Sequence, residues 1–541
     1  MRFRARGTLR RPVLRRLRAA ALLLAVLLLA LAAAGSARAA TFTNPVLPGD
    51  YPDPSVVRVG ADFYATATSD RWAPVFPVLH SRDLVHWQQV GSVLDDAPAW
   101  AAGKRFWAPE ITYANGRFVV LYAGLQRPGR FCIGVATAAR GEGPWRDRGP
   151  LTCRDSGAID PVAVRREDGT HWLVWKAKGH GGGLWAQQVD LAALRVLGTA
   201  LPLITPERAY ERGVTEGPSL VKRGPWWYLV YSGGNCCRPP CTYVTAVARS
   251  ANLLGPYEKA RRPILESSSA LRCPGHGTLV DLPDGRLFFL HHAYAAADVL
   301  NRRRQGVLTR AWVDDDGWLR MGTDARPDAV AEAPLPAAPA SAAQGPVAAE
   351  ETAFADDFDA RALTPGWQWI VRRDPPAVTV GRGQLALGCD THALVTRQVA
   401  ADRFEVSVTV LPPRRGHDDG TPALVVRERD GVQRGIEVRD GRALAVWRRG
   451  DAIRLGPSIR LPVRKPVRLV LSVGDDGTLV PAVERAGAGG LRTPLVPGRA
   501  GRGQGPTRIG LSCRGAAGTA RFARLRLTTP PGLPLGVRAA G

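Results

Sequence analysis

Two octapeptides, YPDPSVVR at 51–58 and AIDPVAVR at 158–165, each set an aspartate before a proline at the start of an alternating strand. The corresponding place in three further segments is taken by Glu110 in WAPEI, Glu216 in TEGPS and His276 in PGHGT. A single acid beside proline or glycine is ordinarily a turn residue. Four carboxylates and an imidazole at successive strand starts ask for another reason, because like charges gathered in one place repel and burial raises the cost of ionising them. The chemistry open to such a set is proton transfer: one carboxyl that keeps its proton for a leaving group, another that stays ionised and holds water. Asp50 is the nearest rival to Asp53, but Asp53 shares its Asp-Pro register with Asp160.

A repeat positions these residues. Five turn-to-strand segments end in bulky β-formers: GADFYATAT, NGRFVVLYAG, DGTHWLVWKA, RGPWWYLVYSGG and DGRLFFLHHAY. Centred on Tyr64, Val119, Leu173, Tyr228 and Phe288, they recur at spacings of 55, 54, 55 and 60 residues. Each is followed by a strand, a polar turn and another strand, so a unit holds about four short strands, the content of one propeller blade. In a propeller the first strand of each blade lines the central channel, which brings the five ionisable residues to one end of the axis. After residue 40 no long helical period interrupts the pattern, and a parallel α/β fold is disfavoured.

Residues 1–40 contain no acid. They run from an Arg-rich start through the apolar AAALLLAVLLLALAAAG to SARAA, the layout of a secretory signal peptide cleaved after Ala37-Arg38-Ala39. The apolar run is shorter than the roughly 20 residues of a membrane span. The paired arginines at 10–11 and 15–16 leave the twin-arginine route open. The formal charge of +25 includes nine leader arginines, so +16 remains for residues 41–541, and it is scattered. No Lys/Arg cluster is interleaved with aromatics, which speaks against a nucleic-acid groove. The eight cysteines all follow the leader, where disulfides are permitted. They fall into three groups: Cys132 with Cys153, Cys389 with Cys513, and Cys236, Cys237, Cys241 and Cys273, a group that allows three connectivities. CCRPPC lacks the second C-x-x-C or His pair that a zinc site needs.

The segments NPVLPGDYPDPSVVRVGADFYATATS, SRDLVHW, FWAPEITYANGRFVVLYAG, AIDPVAVRREDGTHWLVWK, TEGPSLVKRGPWWYLVYSGG and GHGTLVDLPDGRLFFLHHAY resemble glycoside hydrolase family 43, in the family's order, over roughly residues 42 to 325. The resemblance implies a five-bladed propeller hydrolysing arabinofuranosyl or xylosyl linkages with inversion. It assigns Asp53 as general base, Glu216 as general acid, and Asp160 as the carboxylate that orients the acid and keeps it protonated. Asp53 is expected to lie nearer open solvent. Trp107, Glu110, Trp72 and Arg304 are candidates for the sugar pocket, Trp72 in a loop after the first strand. His276 resembles a channel histidine that approaches calcium or another small ion through water. No cofactor is expected, and the ion is optional.

Between 326 and 352 the chain turns Ala/Pro-rich and reads as a linker. From 353 to 530 short alternating segments return and predict a β-sandwich, whose ends, ADDFDARALTPGWQWIVRRDP and ARFARLRL, resemble the concanavalin-like domain attached to many family members. The whole is therefore expected to be all-β: signal peptide 1–40, propeller 41–325, linker, sandwich 353–530. The expected protein is a secreted monomer acting on polysaccharide or oligosaccharide, an arabinofuranosidase or arabinanase ahead of a β-xylosidase. The competing class is a catalytically silent carbohydrate-binding propeller, which would have no need of all three acids.

Overall fold

The computed structural model describes residues 41–126, 130–178, 182–335, 353–372, 375–413, 420–462, 465–474, 476–485, 492–495 and 506–529. The leader and residues 336–352 of the expected linker lie outside them.

Five antiparallel four-stranded sheets follow one another, their inner strands Ser55–Val59, Ala101–Ala114, Ala158–Arg165, Glu216–Arg223 and Leu271–Asp281. Four of the sheets use four consecutive strands, the first passes over the short Trp72–Ala73, and the inner strands touch in succession round a ring, the fifth returning to the first. The second strand of each blade is buried on both faces, which is why Arg117–Gln126 and Leu287–Ala295 read as nearly unbroken apolar runs. Asn115-Gly116 makes the two-residue turn between the first pair of strands in the second blade. Both residues have positive φ, +52° and +72°, as a type I′ hairpin requires.

The ring is closed by the chain ends. Thr41–Thr43 pairs antiparallel with Val330–Glu332, and the buried Asn44 amide accepts from Leu308 N–H and donates to the carbonyls of Leu308 and Asp328. Residues 330–332 thus correct the expectation of a linker from 326: their backbone groups serve the first strand of the chain.

From Phe354 to Thr528 two antiparallel sheets of eight and six strands enclose a separate apolar core that includes Trp367, Phe404, Leu424, Leu469 and Phe522. Trp369–Ile370 of this sandwich pairs with Trp72–Ala73 of the first blade. Trp72 is therefore in a short strand, not the expected loop, because the sandwich supplies its partner. The eight cysteines pair within the expected groups: Cys132–Cys153, Cys389–Cys513, Cys241–Cys273 and the adjacent Cys236–Cys237. Among the described residues no helix is long and apolar enough to cross a membrane.

Candidate active site

The inner strands carry the site because four of the five break their ladders at the same place, and in the first Asp53 stands two residues before the strand begins. Register slips occur between Trp107 and Glu110, Ile159 and Val162, Glu216 and Ser219, and Gly275 and Gly277. At the break one residue is left-handed: Asp53 (φ +52°), Ala108 (+41°), Asp160 (+54°), Gly217 (+56°) and His276 (+46°). A bulge of this kind re-aims side chains, and non-glycine residues adopt such φ only under constraint. Asp53, Asp160 and His276 are thus equivalent by backbone. Glu216 stands one residue before that position and Glu110 two after it, which corrects the expectation that all five share one place.

The offset decides who meets whom. Position −1 is held by Pro52, Trp107, Ile159 and Glu216 in the first four blades, and all four line a cleft of about 420 Å³ together with Asp53, Asp160 and His276. Position +2 lies deeper. There Glu110 accepts from Ser55 Oγ at 2.6 Å and Thr278 Oγ1 at 3.3 Å, both at the same position in other blades. Glu110 is absent from the cleft wall, so it does not reach a sugar there. Burial pushes its carboxyl up to about 7, with only these hydroxyls opposing.

Asp53 is buried, not near open solvent. Its Oδ1 accepts from Arg304 Nη1 at 2.7 Å and lies 3.4 Å from His276 Nδ1, while Oδ2 accepts from Thr68 Oγ1 at 2.7 Å. Burial alone would raise this carboxyl, but Arg304 and then His276 outweigh it and hold it well below the usual range. His292 accepts the Asp53 backbone N–H on Nδ1 at 3.1 Å. Its own value is lowered to about 4 by burial, so it acts as a neutral acceptor despite the nearby carboxylate.

Glu216 lies against a cation that the sequence did not single out. Lys176 Nζ donates to its Oε2 at 2.5 Å, and Tyr243 Oη donates to its Oε1 at 2.7 Å. Burial raises the Glu216 carboxyl, yet Lys176 overcomes it and leaves the group below the ordinary range. Asp160, held by Gly217 N–H at 3.2 Å, is instead raised by burial, with Glu216 adding to the rise. The direction expected for Glu216 is thereby reversed in the open cleft, because Lys176 outweighs the burial that raises it. Gly217 cannot bear a side chain here: a Cβ would lie 2.7 Å from the His276 ring.

Trp107 donates its indole N–H to Asp70 Oδ1 at 2.9 Å and stacks on Phe131 at 4.5 Å. Trp72 lines the cleft, with the Arg508 guanidinium 3.8 Å over its ring. Arg304 is bound to Asp53 and so belongs to the acid cluster. His276 turns to Asp53, and among the described residues no group of three or more His, Cys, Asp or Glu side chains could hold a metal ion. Lys176, Tyr243 and Thr68 escaped the sequence reading. Lys176 stands opposite Ile159, beside Asp160, on the paired strand, a contact that no spacing in the sequence marks.

The sequence profile of glycosyl hydrolases family 43 matches residues 42–319. Among curated proteins the chain is 33% identical over 300 residues to xylosidase/arabinosidase 43B of Humicola insolens, covering 51% of this chain and 54% of that one. It is 30% identical to xylan 1,3-beta-xylosidase of Vibrio sp., covering 46% and 49%, so it spans about half the length of these relatives. A non-reducing end alpha-L-arabinofuranosidase of Bacteroides ovatus is 28% identical, over 76% and 78%. In fold, the chain resembles xylan beta-1,4-xylosidase from Bacillus halodurans, with a TM-score of 0.73 at 24% identity over 90% of this chain and all of that one. With the profile spanning half the chain and the five-bladed ring it implies in place, the chain belongs to glycosyl hydrolase family 43.

Proposed function

We propose that the protein is an exported, inverting glycoside hydrolase that removes α-L-arabinofuranosyl units from arabinose- or xylose-containing oligosaccharides and polysaccharides. The observation that carries the reading is the convergence of Asp53, Asp160 and Glu216 in one cleft beside Trp107. Inversion needs an ionised carboxylate holding water on one face of the sugar and a protonated carboxyl at the leaving oxygen on the other, about 6.5–9.5 Å apart. Asp53 is the base. Arg304 and His276 keep it ionised, and Thr68 fixes its second oxygen.

Glu216 is the acid, and Asp160 is the carboxylate that orients and charges its surroundings. A bound pentose removes the remaining water from Glu216, and desolvation is the influence that raises this carboxyl. Asp160 adds to that rise, while Lys176 restores the anion once the proton has gone to the leaving group. The sandwich closes one side of the cleft, which favours release of a terminal sugar over cutting within a chain. Export is supported by the leader sequence and by eight paired cysteines.

A β-xylosidase is the second reading, favoured by the likeness to the xylan 1,3-beta-xylosidase of Vibrio sp.. Aryl α-L-arabinofuranoside, aryl β-D-xyloside, linear arabinan and arabinoxylan, read for sugar release, separate the two. No release from any of the four would make the protein a carbohydrate-binding propeller instead.

A further inference from the structure

The two walls of the cleft differ in charge. The propeller wall supplies five carboxylates, Asp50, Asp53, Asp70, Asp160 and Glu216, alongside three arginines. The sandwich wall supplies four arginines, Arg397, Arg427, Arg429 and Arg508, and no carboxylate.

Arg427 is the telling member. It is only 7% exposed, like Arg303 at 6%, Arg434 at 7% and Arg448 at 3%. Those three each pair with a carboxylate: Asp402, Glu428 at 2.8 Å and Glu437 at 2.7 Å respectively. Arg427 has none within ion-pair distance among the described residues. Its Nη1 reaches only the Glu428 carbonyl at 3.3 Å, and its guanidinium lies 5.1 Å from the centre of the Trp72 ring. Burial, and after it Arg71, push it down to about 10, with Asp430 opposing only partly. A buried guanidinium lacking a counter-ion is costly. Among the described residues no carboxylate supplies that partner, and the guanidinium lines the cleft that a substrate enters. Arg429 stands beside it at the rim, donating to the Cys237 carbonyl at 3.4 Å.

We infer that the sandwich wall, centred on Arg427 with Arg429 at its rim, is an anion subsite for a carboxylate carried on the leaving-group side of the substrate, a hexuronic acid on the oligosaccharide. Arginine suits a carboxylate because its planar fork gives two parallel N–H donors. The acids of the propeller floor hold the sugar that is cut off, so the sandwich wall faces what remains attached. This rests on the glycosidase reading and names its substrate class more closely.

The test is binding to the full-length chain carrying Asp53→Asn, which stops turnover during the measurement. Titration calorimetry compares a glucuronic-acid-bearing pentose oligosaccharide with the same compound after its carboxyl has been reduced to the alcohol. The acidic form should bind on the order of tenfold tighter in 50 mM salt, with the advantage shrinking several-fold in 500 mM salt. Arg427→Gln should abolish the advantage, Arg427→Lys should retain part of it, and Arg429→Gln should reduce it. Equal binding of the two compounds, or an advantage that survives both glutamine variants, overturns the inference. So does inorganic phosphate or free glucuronate displacing the acidic oligosaccharide at equal concentration, which would mean a site for any small anion. If Arg427→Gln does not fold, the exposed-side Arg429→Gln and the salt series still decide. Aryl pentosides assayed on the wild-type chain report separately on the glycosidase reading: hydrolysis without a carboxylate preference sinks the subsite alone, and a preference without hydrolysis sinks the activity alone.

Discussion

Asp53 and Glu216 are both buried carboxylates with a cation at hydrogen-bond distance, and both lie below the range that burial alone would give them. They differ in how the cation is held. Arg304 is a planar guanidinium that keeps its charge, fixed through its own backbone N–H to Asp50 Oδ1 at 3.0 Å. Lys176 is a single ammonium on a flexible stem, and Asp160 pulls on the same charge. One end of the site is locked as an anion. The other is a balance between Lys176, Asp160 and desolvation, and a balance can be tipped by a substrate. That is the division of labour a base and an acid need in one cleft.

The sharpest way to break the comparison is to remove each carboxylate in turn. Asp53→Asn should slow both polysaccharide and nitrophenyl glycoside, by roughly 10²–10⁴-fold or more in kcat/KM, because water must be activated whatever departs. Glu216→Gln should cripple the polysaccharide reaction far more than the nitrophenyl one, since nitrophenolate leaves without a proton. Equal losses on both substrates in both variants would erase the distinction between the two ends.

Glu110 is the control for burial without a cation. Its folded value near 7 lies above that of the unfolded chain, so the folded form binds the extra proton and stability falls as pH rises from about 4.5 to 7. Glu110→Gln should therefore stabilise the protein at pH 8, by up to about 3 kcal/mol, and change little at pH 4. Thermal unfolding at the two pH values reads it, and a penalty at pH 8 would mean that Glu110 is held as an anion.

The smallest effects test the balance itself. With Glu216 as the acid, the kcat/KM profile should fall on its alkaline side as that carboxyl loses its proton. Lys176→Met removes the charge that lowers Glu216, and should move that limb up by about one pH unit or more. Asp160→Asn removes a charge that raises Glu216, and should move it down. Shifts in the same direction for the two variants would show that neither charge acts on Glu216 as described.

The ring was legible because its period is written five times in apolar strands, and the acids because each stands about a dozen residues before a strand centre. The interval was blind to one residue more or less. A bulge leaves no mark on hydrophobic spacing, so Glu110 at position +2 and Glu216 at −1 looked like partners of Asp53 until the backbone separated them. Lys176 was hidden for another reason: a lysine at the end of WLVWKA reads as a solvated strand terminus, and only the neighbouring blade shows that it faces Glu216. The sandwich arginines were equally silent. Arg427 and Arg508 both lie more than 200 residues beyond Glu216, the nearest acid of the cleft in sequence, and Trp369–Ile370 had to pair with the first blade before they could share a wall with it.

The latch that closes the ring has a mechanical consequence. Thr41 pairs with Glu332 and Thr43 with Val330, so the two chain directions leading away from the ring leave from the same end of the ladder. Tension applied between those two directions would part the pairs one after another, as a zip opens, instead of loading all three together in shear. A force probe gripping the chain at residue 41 and just past residue 332 should meet low resistance at first, then the Asn44 side chain, whose bonds to Leu308 and Asp328 form the last catch before the first and fifth blades come under load.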